Sequence, residues 1–227
     1  MVLKWPKRIV VVRHGQSEQN LALDLLDDAL LVKQKNTRDA DVTLTPLGIE
    51  QAKMTGKFLS TTDPFDICFS SPYVRTMQTA EKIAENIGYD LKIRQDERLI
   101  EKEFGALHGH SREEIERIFP GEFERRKLEG KYYFRPIGGE SYLDVRIRNH
   151  SFLGKLHRDY PGKSVLISTH QIPYLMIRDL FEHLGEKNIL SLGDVPNCGI
   201  EEFKIDTSNN PEGRMKLTVF NKVAYEV

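Results

Sequence analysis

Residues 8–20 read R-I-V-V-V-R-H-G-Q-S-E-Q-N. Ile9 to Val12 form a short apolar, β-branched run, the pattern of a strand buried on both faces. The run ends abruptly in Arg13, His14 and Gly15, so a cation and an imidazole sit where the strand stops and the chain must turn. Ligands of open α/β sheets bind outside the carboxyl ends of the strands. A neutral imidazole placed there can act as a nucleophile, and a guanidinium beside it can hold the anion it attacks. A lone histidine in a turn is ordinarily a satisfied structural residue. Here Ser17 and Asn20 follow within six residues of His14, and the cluster favours a functional reading.

A second run, S-V-L-I-S-T at 164–169, repeats the arrangement: a buried strand that ends in a histidine, His170. Around these two strands the spacing predicts further elements. Thr45 and Pro46 open a helix as N-cap and first helical residue, with Leu47, Met54 and Phe58 as its buried stripe to about residue 60. Asp66 to Ser70 reads as a strand. Ser71-Pro72 caps the next helix, striped by Val74, Met77, Ala80, Ala84 and Ile87, with Arg75 in its first turn, where unpaired backbone N–H groups favour an anion. Leu91 to Arg94 is a short strand. Ser141 caps a long helix with Asp144 in a near capping box, its apolar side carrying Tyr142, Val145, Phe152, Leu156 and Tyr160. A helix striped by Ile172, Leu175, Met176 and Leu180 follows His170. Two strands, 201–205 and 216–221, joined by the turn N-N-P-E-G-R, close the chain.

At 227 residues the chain is long enough for one α/β domain with a sizeable core. A net charge of −1 argues against a general nucleic-acid or acidic-membrane binder, while leaving room for a small anion held by local arginines. Two cysteines, Cys68 and Cys198, in apolar surroundings read as reduced, buried thiols and not as a disulfide framework. No apolar run approaches the ~20 residues that span a bilayer, and the aliphatics after Lys4, Lys7 and Arg8 are too few for a signal-peptide core. The expectation is a soluble, cytoplasmic protein. Residues 21–43 read as a short amphipathic helix followed by a polar stretch, either a surface excursion or part of a pocket wall. His108 and His110 suggest a metal pair, but no third ligand has the right spacing, and they read as rim or surface residues.

The stretch 13–20 resembles the R-H-G-x-S-x-x-N signature of the histidine phosphatase superfamily, the phosphoglycerate-mutase-like family. Three further segments resemble the family in the same order. L-T-P-L-G-I-E-Q-A (44–52) resembles a structural segment, and S-S-P-Y-V-R-T-M-Q-T-A (70–80) resembles S-x-L-x-R-A-x-Q-T-A, whose arginine binds phosphate. R-L-I-E-K-E-F-G-A-L-H-G (98–109) resembles R-L-x-E-x-x-x-G-x-x-x-G. Sequence alone does not choose between Glu101 and Glu103 as a proton donor; the resemblance places Glu101 there. It also makes His170 the second catalytic histidine, although the small residue that usually follows is replaced by Gln171 and Ile172.

The fold implied is a three-layer αβα sandwich, with a mixed, mostly parallel sheet and helices on both faces, in one domain over 1–227. A helical substrate-covering insertion is expected at about 106–139, where Arg125, Arg126, Lys131, Tyr133 and Arg135 are candidate substrate contacts. The resemblance implies a metal-independent phosphatase without cofactor. His14, Glu101, His170, Arg13 and Arg75 would be catalytic, with Ser17, Asn20 and Gln171 joining Arg13, Arg75 and His170 around a small phosphorylated substrate. A phosphoglycerate mutase is the alternative, and a non-catalytic phospho-ligand binder a third.

Overall fold

The computed structural model describes residues 3–25, 36–208 and 212–225. Six strands form one sheet: β1 (Arg8–Arg13), β2 (Ile67–Ser70), β3 (Ile93–Gln95), β4 (Ser164–Thr169), β5 (Ile200–Asp206) and β6 (Arg214–Lys222). Their spatial order is β3-β2-β4-β1-β5-β6. The first four are mutually parallel, whereas β5 and β6 run antiparallel at one edge. Because β1 and β4 pair directly, with Arg13 opposite Thr169, the residues that follow each strand emerge side by side. Those residues are His14 and His170.

Alternation along the strands divides the core into two layers. Ile9, Val11, Phe69, Val165 and Ile167 face one way, onto α6 (Tyr142–Asp159) and α7 (Gln171–Glu182). Val10, Val12, Cys68 and Leu166 face the other, onto α2 (Pro46–Leu59) and α3 (Val74–Asn86). Among the described residues the remaining α-helices are α1 (Glu18–Leu25), α4 (Arg112–Ile118), α5 (Glu122–Glu129) and α8 (Gly185–Leu190). Cys68 and Cys198 are free and buried, and burial pushes both thiols up to about 12. Among the described residues no helix is long and apolar enough to cross a membrane.

The caps read from sequence at Thr45 and Ser141 are present, the latter as a full capping box with Asp144. The periodicity indicated part of each face: Phe58 of α2 and Ala80, Ala84 and Ile87 of the α3 stripe join the core, but the rest of the buried sets differ. Leu47 and Met54 are exposed, while Gly48, Gln51, Ala52, Thr55, Gly56 and Leu59 are buried. On α3 the buried set is Arg75, Thr76, Thr79, Ala80 and Ile83, with Ile87 just beyond the helix. The reason is close helix contact: a Cβ on Gly56 would lie 2.7 Å from the Ile83 carbonyl oxygen. Small and polar side chains therefore occupy the interface that larger apolar ones were expected to fill. Of the stretch 21–43, residues 26–35 lie outside the described residues, as do 209–211 of the expected final turn.

Candidate active site

The loop after β1 is built to present His14. Gly15 packs so tightly on α2 that a Cβ there would sit 2.4 Å from the Gly48 carbonyl oxygen. The His14 amide donates to Thr169 O (2.9 Å), and its own carbonyl accepts from the Cys198 amide (3.1 Å) and Asn197 Nδ2 (3.3 Å). The imidazole is 4% exposed. Its Nδ1 lies 2.7 Å from Gly15 O. A carbonyl only accepts, so this bond assigns the proton to Nδ1 and leaves the Nε2 lone pair free. Burial, then Arg75, then Arg13 hold the His14 pKa well below the ordinary imidazole value. The ring is held toward its neutral form beside two cations.

His170 is fully buried, its ring centroid 5.2 Å from that of His14. Its Nε2 is 2.9 Å from Ser71 Oγ, and its Nδ1 has no partner among the described residues. Burial lowers its pKa well below 6.5, with Arg75 and His14 acting in the same direction. Ser71, expected as a helix cap, instead serves this ring: the N-cap position of α3 is Tyr73, which makes no side-chain cap bond. Tyr73 itself stacks edge-on against His170 at 5.1 Å.

Arg13 donates through one terminal nitrogen to Val195 O, and its Nε is buried without a partner among the described residues. Burial lowers its pKa, opposed by Glu101 and Asp194. Arg75, 3% exposed, reaches Asp39 with both terminal nitrogens (3.1 and 3.2 Å to the carboxylate) and also donates to Asp39 O at 2.5 Å. The segment that carries Asp39 returns to the His14 loop, where Ser17 bridges Leu44 and Thr45 N donates to Gln16 O. Residues 36–44 are thus a wall of the site and not a surface excursion.

Glu101 faces the start of α7. One carboxylate oxygen accepts from the Lys102 and Ile172 amides (2.8 and 3.2 Å), the other from the Gln171 amide (3.1 Å). Burial raises its pKa above the usual carboxylate value, opposed by the Lys102 amide, Arg75, Arg13 and the Ile172 amide. Glu103 points elsewhere, its Oε1 accepting from Tyr73 OH at 2.8 Å. Arg148 fixes the stretch between them: it donates to Arg98 O and Glu101 O while paired with both oxygens of Glu140.

Over residues 9–216 the chain matches the histidine phosphatase superfamily (branch 1). The chain belongs to the histidine phosphatase superfamily. A relative from Rhizobium meliloti, a 2,3-bisphosphoglycerate-dependent phosphoglycerate mutase, is 31% identical over 188 residues, covering 81% of this chain and 83% of that protein. One of the same name from Methylobacterium is 34% identical over 166 residues, covering 71% and 74%. Among solved structures, a mycobacterial glucosyl-3-phosphoglycerate phosphatase complexed with inorganic phosphate has a TM-score of 0.72 at 25% identity, covering 96% of this chain and 98% of that one. A phosphoserine phosphatase from Entamoeba histolytica, complexed with 3-phosphoglyceric acid, has a TM-score of 0.71 at 25% identity, covering 95% and 97%.

This histidine phosphatase fold gathers Arg13, His14, Arg75, Glu101 and His170 at the strand ends. Ser17 and Asn20 are engaged with each other: Asn20 N donates to Ser17 Oγ (3.2 Å), and Asn20 Oδ1 accepts from Ser17 N, Ser17 Oγ and Asn197 Nδ2 (3.0 to 3.1 Å). The Gln171 side chain donates to Asp194 Oδ1 at 2.8 Å, so only its amide serves Glu101. Of the candidate contacts in the insertion, Arg126 and Lys131 line a cavity beside Glu101, Arg125 pairs with Glu122 and Glu129, Arg135 with Asp144, and Tyr133 is exposed. His110 lines the same cavity, and no group of metal-ligating side chains occurs among the described residues. Sequence reasoning missed Asp39, the Ser71 link to His170, and Asn197. Each is brought in by the fold from an irregular stretch with no periodic signal for that role.

Proposed function

We propose that the protein is a phosphomonoesterase working through a phosphohistidine on His14. The observation that carries this reading is the state of that imidazole: Nδ1 tied to Gly15 O, neutral, buried between two arginines. A phosphate monoester is an anion that resists anionic nucleophiles, and a neutral nitrogen avoids the repulsion. The Nε2–P bond forms as the bond from phosphorus to the alcohol oxygen breaks. Arg13, Arg75 and His170 hold the phosphoryl oxygens, and fixed cations such as the two arginines contribute ~10³–10⁵ in rate. Glu101, whose pKa burial raises, gives a proton to the departing alkoxide, for ~10²–10⁴ more. It then takes a proton from the water whose oxygen displaces the histidine, which restores both residues. The protein's own groups supply every charge these steps require, so a metal ion has no part in them.

The test is a rapid quench of the protein with an aryl phosphate, in chelator throughout. The expected result is an acid-labile, base-stable phosphoprotein, absent in His14→Ala. Turnover without the adduct, or its dependence on an added divalent ion, overturns the reading. A second reading, a phosphoglycerate mutase, is favoured by the names of the sequence relatives. It requires priming by a bisphosphorylated glycerate and return of the phosphoryl group to a bound product, whereas a phosphatase releases phosphate without a primer.

A further inference from the structure

The cavity beside Glu101 measures 440 Å³ and begins where the acid ends: Lys102, next to it in the chain, and Gln171 and Ile172, whose amides bind it, all line the wall. It therefore adjoins Glu101 through the residues whose amides bind that carboxylate. Its volume falls in the ~300–1,000 Å³ range of sites for drug-sized ligands, far more than a three-carbon acid fills. Three chemistries meet in the lining. Phe104, Phe123 and Phe134 supply aromatic surface, each ring already carrying a cation on one side: Lys102 (4.4 Å), Arg112 (5.1 Å) and Arg125 (4.9 Å). Lys102, Arg126 and Lys131 supply positive charge, and neither Arg126 nor Lys131 has a carboxylate partner among the described residues. Lys102 is 5% exposed, and burial brings its ammonium down to about 8. Glu122, 7% exposed, spends one oxygen on Arg125 (2.9 Å), and its Oε2 is buried with no partner among the described residues. A buried acceptor left unpaired is costly, and a donor on a ligand would relieve that cost.

We propose that the substrate is a phosphate monoester of a ring-bearing alcohol that also carries a second acidic group and a hydrogen-bond donor. The ring lies between the phenylalanines, the acid meets Arg126 and Lys131, and the donor bonds to Glu122 Oε2. This rests on the phosphomonoesterase reading and narrows it: a site so furnished discriminates against glycerate phosphates.

Four probes separate the features. O-phosphotyrosine has the ring, the acid and the donor; phenyl phosphate the ring alone; O-phosphoserine and 3-phosphoglycerate an acid and a donor without the ring. Wild type should hydrolyse phosphotyrosine with a kcat/KM at least tenfold above each of the others. Arg126→Ala should lower that value at least fivefold more than the value for phenyl phosphate, whose leaving group is similar. A kcat/KM for phosphoserine or 3-phosphoglycerate that equals that of phosphotyrosine overturns the proposal, as does an equal loss on both aryl esters in Arg126→Ala. If none of the four releases phosphate, the phosphomonoesterase reading fails, and binding to His14→Ala decides the pocket separately by calorimetry. Tighter binding of phosphotyrosine than of 3-phosphoglycerate, weakened by adding Arg126→Ala, upholds the pocket; the reverse order overturns it.

Discussion

Asp39 and Arg75 are locked together at the mouth of the site: both terminal nitrogens of the arginine meet the Asp39 carboxylate, at 3.1 and 3.2 Å. A planar guanidinium binds carboxylate and phosphate with the same fork. The nitrogens assigned here to a phosphoryl group are thus already held by an acidic side chain of the same protein, carried on a segment tethered to the His14 loop.

Competition follows from that geometry. A phosphate that takes both nitrogens of Arg75 must first displace Asp39, and a pair of this exposure is worth about 1 kcal/mol, or roughly fivefold in binding. Asp39→Asn should lower the inhibition constant of inorganic phosphate about fivefold and reduce KM for phosphate esters in proportion. Steady-state inhibition measures both. An unchanged or weakened phosphate affinity would mean that Asp39 orients Arg75 and does not oppose substrate.

Ser71 is expected to set the state of His170. Its oxygen accepts from the Tyr73 amide at 3.3 Å and lies 2.9 Å from His170 Nε2, where its proton is expected to donate. That bond assigns the imidazole proton to Nδ1, where it can serve a phosphoryl oxygen. Ser71→Ala should lower kcat by about tenfold, less than the ~10²–10³ lost when a direct oxyanion donor is removed. Ser71→Thr should restore it. Nitrogen chemical shifts of His170 should report a single tautomer in wild type and a mixture in Ser71→Ala; one unchanged tautomer in the variant would contradict the assignment.

How much of this was legible differs by residue. His14 and His170 could be placed because each ends an unbroken run of buried aliphatics, and the direct pairing of β1 with β4 makes two such endings one site. The Ser141 cap was equally plain, since its partner Asp144 lies three residues on. Glu101 was not separable from Glu103 by local chemistry. What separates them is tertiary: one carboxylate meets the amides opening α7, the other the Tyr73 hydroxyl. The α2 stripe was partly misread because its neighbour α3 approaches at Gly56 too closely for large side chains. Asp39 gave no signal and Ser71 read only as a helix cap, because polar residues in irregular stretches acquire their roles from the partners the fold supplies.

Stability should carry its own pH signature, from a residue outside the site. Glu201 on β5 is fully buried, and neither carboxylate oxygen has a hydrogen-bond partner among the described residues. Burial raises its pKa well above the ordinary value, with Arg178 opposing. For an acid whose folded pKa is raised, the folded state binds the extra proton, so stability is fully present below the unfolded value near 4.5 and is lost as pH rises toward the folded one. Each pKa unit of displacement is worth about 1.4 kcal/mol. Glu201→Gln should match wild type in Tm near pH 4.5 and exceed it by a margin that grows toward pH 8. A difference in Tm that does not vary with pH would show that Glu201 is ionised in both states.

The final prediction separates Glu101 from its neighbour Glu103. A general acid matters in proportion to how badly the leaving group needs a proton. An alkyl alcohol is a poor leaving group, whereas para-nitrophenolate departs unaided near neutral pH. Glu101→Gln should therefore slow hydrolysis of an alkyl phosphate by ~10²–10⁴, and that of para-nitrophenyl phosphate far less, when phosphohistidine formation limits both. Glu103, which bonds to Tyr73 OH, touches no reacting atom in this scheme. Glu103→Gln should affect both substrates mildly and by similar factors. The comparison cancels folding damage, because a loss of folded protein lowers both rates together. Selective loss of alkyl phosphate hydrolysis in Glu103→Gln, with Glu101→Gln uniform, would move the acid two residues along the chain. The amides of Gln171 and Ile172 would then be stabilising a carboxylate that never leaves its charged state.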